Sequence, residues 1–149
     1  MAIEHDQELA SAILAQAADA IIFTDSEGVI RIWNAAAAGI FGFTAEEALD
    51  KSVDLIIPEH LRRAHWTGFR RAMQSGATRL GGRPTMTRGL HKSGRRLYVE
   101  MSFAVVRGSS GLVVGAVAVA RDATERYEAE RARRRQFETG TSASSGPGA

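Results

Sequence analysis

The chain carries four histidines and nineteen lysines and arginines but no cysteine. Without a thiol there can be no disulfide, iron–sulfur cluster, cysteine-bound zinc or thiol nucleophile. Among the histidines, His65 occupies the most informative position. It sits in EHLRRAHWTGFRRAMQSG, where Leu61, Ala64, Gly68, Phe69, Ala72 and Met73 recur at three- and four-residue steps and define one apolar stripe. His65 follows Leu61 by four residues and precedes Gly68 by three, so its imidazole belongs to that stripe. An imidazole facing an apolar interior must hydrogen-bond, stay neutral or bind something. Gly68, one turn on, would let a flat molecule approach the helix backbone, at about 1 kcal/mol of helix propensity. His5 in the opening helix, His60 beside the helix start and His91 in a turn are expected to be solvated.

Other catalytic constellations are absent. The sequence holds no G-x-S-x-G, no Walker loop, no H-E-x-x-H and no kinase motif set. The paired acids Glu46 and Glu47 fall on a short helix and have the character of a solvated face. The expectation is a protein that is not an enzyme.

The elements that would position His65 follow from local signals. Residues from about Glu4 to Ala17 form a first helix, with Leu9, Ile13 and Leu14 at helical steps. Two β-rich runs, Ala20–Thr24 and Val29–Trp33, flank the turn Asp25-Ser26-Glu27-Gly28 and predict a hairpin. Asn34 caps a short helix through Ala35–Phe41, and Thr44 with Glu47 makes a capping box for another. Pro58 opens the long helix and Gly76 closes it. Three strands follow, about Thr78–Arg88, Arg96–Val106 and Leu112–Arg121. The first is interrupted by Gly81, Gly82 and Pro84, a pattern of bulges or edges. A charged helix covers about Thr124–Phe137, and the small, polar tail TGTSASSGPGA is expected to be disordered. The organisation is thus a flanking helix (1–17), a central domain (18–122), a C-terminal helix (123–138) and a tail (139–149). The natural packing is an α+β fold: a five-stranded antiparallel sheet with helices on one face, enclosing one hollow.

At 149 residues, with 44% hydrophobic and 24% charged, the chain suits a single globular domain that buries its own core. The opening MAIEHDQELASA lacks the basic-then-apolar order of a signal peptide. Its longest strongly apolar run, Leu112–Ala120, is too short to span about 30 Å of hydrocarbon. A soluble, cytoplasmic protein without membrane contact is expected. The net charge of +2 gives no general case for nucleic acid. Arg131, Arg133, Arg134 and Arg135 cluster without interleaved aromatics, so nucleic-acid binding is only a minor alternative.

The phrases AIIFTDSEGVIRIWNAAAAGIFGFTAEEALDKSVDLIIPEHLR, LHKSGRRLYVEMS and GAVAVARDATER resemble the PAS family across about Leu9–Arg126. The resemblance implies the PAS fold and a role in sensing small molecules, redox state or light. It is closest to the haem-binding, oxygen-sensing PAS domains of a rhizobial histidine kinase and a bacterial phosphodiesterase. By that likeness His65 falls on the proximal iron ligand of haem b, and Arg71 and Arg79 match positions that meet the propionates. Arginine's planar fork suits a carboxylate; the same cations would equally serve a solvated rim, an acidic metabolite or a partner.

On the distal side Thr85 stands where these relatives have an oxygen-binding arginine, and Arg83 where the phosphodiesterase has a methionine ligand. Two apart on a strand, Arg83 and Thr85 would share a face, and Arg83 would replace the missing donor. Met101 and Phe103 match apolar distal positions, and Leu80 is included among the cofactor contacts. A flavin–cysteinyl adduct and thioester-linked coumarate are excluded by the missing cysteine. The RDATER segment resembles the family's junction with an output helix. Expected partners are a second copy of the chain, docked through the opening helix, a histidine kinase or regulator, and a diatomic gas if haem is bound. The alternative function is a cofactor-free interaction module or a sensor of a small organic ligand.

Overall fold

The computed structural model describes residues 2–143. Helix α1 (Ala2–Gln16) leads into a hairpin of β1 (Ala20–Asp25) and β2 (Ile30–Trp33). Local chemistry makes the turn: the Asp25 carboxylate accepts from the backbone N–H groups of Glu27 and Val29, both at 3.0 Å. Gly28 takes φ +81°, and a Cβ there would lie 2.1 Å from the Trp66 ring, so only glycine fits. The hairpin turn is thereby pressed against the long helix.

Helices α2 (Ala35–Phe41) and α3 (Ala45–Ala48) follow, then a 3-10 turn at Val53–Ile56 and α4 (Glu59–Ser75). Their ends match the sequence signals. Asn34 caps α2, Thr44 and Glu47 form a complete capping box, and Gly76 at φ +73° closes α4. Asn34 is almost wholly buried. Its amide accepts from Ile21 N and Ala37 N and donates to the carbonyls of Leu14 and Asp19. One side chain thus ties α1, β1 and α2 together.

Strands β3 (Thr85–Leu90), β4 (Arg96–Arg107) and β5 (Val113–Asp122) complete an antiparallel sheet in the order β2-β1-β5-β4-β3. The last strand therefore occupies the centre, between β1 and β4. The helices cover one face, and Ile22, Ile30, Phe41, Leu97 and Val99 are fully buried beneath them. This is the expected α+β architecture.

Two boundaries differ from the sequence expectation. The third strand begins at Thr85, not Thr78, because Gly81 and Gly82 both take positive φ, +57° and +81°, which breaks the extended run. Helix α5 (Thr124–Ala143) continues past residue 138, so the first part of the expected disordered tail is helical; residues 144–149 lie outside the described residues. Helix α1 buries no residue: Leu9 is 54% and Ile13 60% exposed. No helix among the described residues is long and apolar enough to cross a membrane.

Candidate functional site

Between α4 and the sheet lies a cavity of about 410 Å³. Its origin is the size of the side chains on the two facing walls. Helix α4 presents Ala64, Gly68 and Ala72, and the central strand β5 presents Ala116 and Ala118. A Cβ built on Gly68 meets nothing within 4 Å. Small residues on both sides leave the gap unfilled, and α4 has no fully buried residue. The volume is in the range of small-molecule sites, roughly 300–1,000 Å³.

The remaining walls are mainly apolar, with Ile22, Phe41, Val99 and Met101 among them. The lining includes no aspartate or glutamate; its few polar side chains include Thr24, Thr87 and His65. His65 is half-buried on the helical wall. Its ring stacks on Phe69 at 5.9 Å and meets the edge of Trp66 at 5.1 Å. Nδ1 is fully buried and has no hydrogen-bond partner. Burial pushes the imidazole below its ordinary pKa of 6.5, opposed in part by the charge of Asp54. His65 is therefore neutral near pH 7. Asp54 is itself engaged by Trp66, whose indole N–H donates to Oδ1 at 2.9 Å.

The other expected site residues separate into two groups. Arg79, Leu80, Arg83, Met101 and Phe103 line the cavity together with His65. Arg71 and Thr85 do not. Arg71 stands six residues beyond His65, about 240° further round a helix, and is exposed. Thr85 lies on the inner face of β3, but Thr87, one step along that face, lines the cavity instead. Arg83 does not share a strand with Thr85. It reaches the cavity from the loop of residues 77–84, where its Nε donates to the Leu80 carbonyl at 3.2 Å. That loop, with exposed Arg79, Leu80 and Arg83, forms the mouth.

Sequence reasoning missed Thr24 and Thr87 in the lining, and Trp66 as the link from the hairpin turn to α4. The inward alternation from Thr85 to Thr87 was the available signal for one of them. No cluster of three or more histidine, aspartate or glutamate side chains suited to a metal ion occurs among the described residues. Iron held within a porphyrin needs only an axial side chain, which His65 could supply.

A family model described as PAS fold matches residues 14–128, well over half of the chain. The chain belongs to the PAS fold family. The fold is also that of several solved PAS structures. A PAS domain from Colwellia psychrerythraea is similar at a TM-score of 0.70 and 23% identity, covering 80% of this chain and 98% of that one. The PAS domain of Bordetella pertussis BvgS gives 0.63 and 22%, covering 91% and 98%. A sensory box histidine kinase/response regulator structure from Burkholderia thailandensis gives 0.61 and 16%, covering 87% and 95%. At these identities the likeness establishes the PAS fold.

Within this PAS domain, the C-terminal helix is fastened to the strand that backs the cavity. Val99 and Met101 of β4 line the hollow, while Tyr98 and Glu100 alternate with them on the opposite face. Tyr98 stacks on Tyr127 of α5 with centroids 3.8 Å apart, and its backbone N–H donates to the Thr124 hydroxyl. Glu100 accepts from Arg126 at 2.6 Å. One PAS strand therefore touches the cavity on one side and α5 on the other.

Proposed function

We propose that this PAS domain is a sensory and signalling module whose ligand chamber is the core cavity and whose ligand is haem b, held by His65. The observation that carries the reading is a half-buried imidazole on the wall of an apolar hollow, its inner nitrogen Nδ1 buried without a partner. The residues fit the group in three respects. The imidazole is available as an axial ligand without first losing a proton. Gly68 leaves open space beside it. Arg79 and Arg83 stand at the mouth, where propionates would meet water. When bound, haem supplies an iron position for a diatomic gas or a one-electron redox change. The chain supplies mainly apolar walls, the anchoring imidazole and the mouth arginines Arg79 and Arg83. Arg71 does not line this cavity.

Output runs through contact between proteins. Val99 and Met101 report the state of the cavity to Tyr98 and Glu100, and these hold the first turn of α5. The exposed apolar side chains of α1, Leu9 and Ile13, provide a surface for a second copy. A histidine kinase or regulator is the partner class we favour, in keeping with the sensory box kinase whose fold is similar. No catalytic step is assigned to this domain.

The test is spectroscopic. Protein titrated with haemin should give a Soret band shifted from that of free haemin, saturating at one equivalent. The His65→Ala variant should give a different or absent band. No shift in the native protein, or an identical spectrum in the variant, would overturn the reading.

A further inference from the structure

Two cations stand at the mouth. Arg79 and Arg83 both line the cavity and are exposed at its opening. Ion pairs among the described residues include Arg31 with Asp25 and Asp50, Lys92 with Glu47, Arg121 with Asp19 and Arg126 with Glu100. Neither mouth arginine belongs to any of them. The lining has no acidic side chain to neutralise them from within. Behind them the walls are mainly apolar, with Thr24, Thr78, Thr87 and His65 along the way; Arg88 also belongs to the lining, but its guanidinium lies over the Tyr98 ring, on the far face of the sheet.

This polarity is one-ended. A sugar, nucleotide or peptide entering the hollow would leave many hydroxyls or amides without partners, each at a desolvation penalty. An apolar body with a single anionic head has no such difficulty. Its body covers Ile22, Phe41, Val99 and Met101, and its head stays at the water boundary beside two guanidinium groups. Each guanidinium is a planar fork that matches a carboxylate. The loop that carries them turns at Gly81 and Gly82, which both lie between them at positive φ.

We propose that this cavity binds amphipathic monocarboxylates without any need for iron, the acid held by Arg79 and Arg83 and the apolar chain lying against the sheet. The inference rests on the reading of the hollow as the ligand chamber, and it does not rest on haem. His65 has no ionic role in it, being neutral, and serves as part of the wall.

Isothermal titration calorimetry on the iron-free full chain tests it, with decanoate and decanol as probes below their aggregation concentrations. Decanoate should bind at least tenfold more tightly than decanol, with one site per chain. The double variant Arg79→Ala, Arg83→Ala, its fold verified by far-UV circular dichroism, should bind the two equally. Arg79→Glu with Arg83→Glu should reverse the preference. Equal binding of both probes by the native chain, or a preference that survives the double alanine variant, would overturn the proposal. Haemin binding without decanoate binding would end this inference and leave the haem reading standing. Decanoate binding without a haemin spectrum would do the opposite. Failure of both would remove the cavity as a ligand site.

Discussion

His65 is the residue on which the functional account turns, and its environment makes a pH prediction. Burial holds its pKa below the ordinary 6.5. The unfolded chain therefore takes up the proton more readily than the folded one, and stability rises with pH across that interval. The contribution is fully present above about pH 6.5 and declines as pH falls toward the folded-state value. Urea denaturation of the native chain should show a falling midpoint from pH 7.5 to 5.5. His65→Leu should flatten that part of the profile, because the remaining histidines are common to both chains and cancel. It should also fold within about 1 kcal/mol of the native chain or better, since an unpartnered buried polar atom is replaced by an apolar group. Identical pH profiles would contradict the burial of His65. This residue was legible in the sequence because helical period alone placed it on the stripe with Leu61 and Gly68. Arg71, matched by likeness alone, lies exposed and outside the lining, about 240° round the helix from His65. Asn34 carries a second residue-scale prediction. Its four hydrogen bonds join three elements, so Asn34→Ala should cost about 2–4 kcal/mol in the same denaturation experiment.

Among the elements, the hairpin and α4 form one mechanical unit. The Trp66 indole lies over the Gly28 turn and bonds Asp54, while its neighbour His65 faces the cavity. Gly28→Ala would force a Cβ into that indole at a backbone angle that L residues disfavour. A loss of about 1–3 kcal/mol is expected, read as a lower denaturation midpoint with an unchanged slope. The helices were readable because their ends are marked by short-range chemistry: Asn34, Thr44 with Glu47, and Gly76. The loop of residues 77–84 was not. Its Thr-Arg-Leu start has strand-like alternation, and only backbone angles at Gly81 and Gly82 reveal that extension fails there. The end of α5 was hidden for the opposite reason, since the composition of TGTSA suggests a tail while the backbone continues as helix to Ala143.

At the scale of the whole molecule, the cavity is a product of tertiary juxtaposition. Ala64, Gly68 and Ala72 are distant in sequence from Ala116 and Ala118, and nothing local announces that these small residues face each other. The PAS fold could be read from phrases, and a hollow within it from the order of elements; which small residues face each other across that hollow could not. A ligand that fills such a space stabilises the fold by mass action, about 2.7 kcal/mol when present at a hundred times its dissociation constant. Ala118 offers the most direct probe. It sits in the middle of the sheet, paired with Ile22 on β1 and Phe103 on β4, and its side chain lines the hollow. The decisive measurement is a haemin titration of Ala118→Phe beside the native chain, with far-UV circular dichroism to verify the fold. The account predicts a folded variant whose filled chamber no longer yields the shifted Soret band. A folded variant that takes up haemin as tightly as the native chain would contradict it.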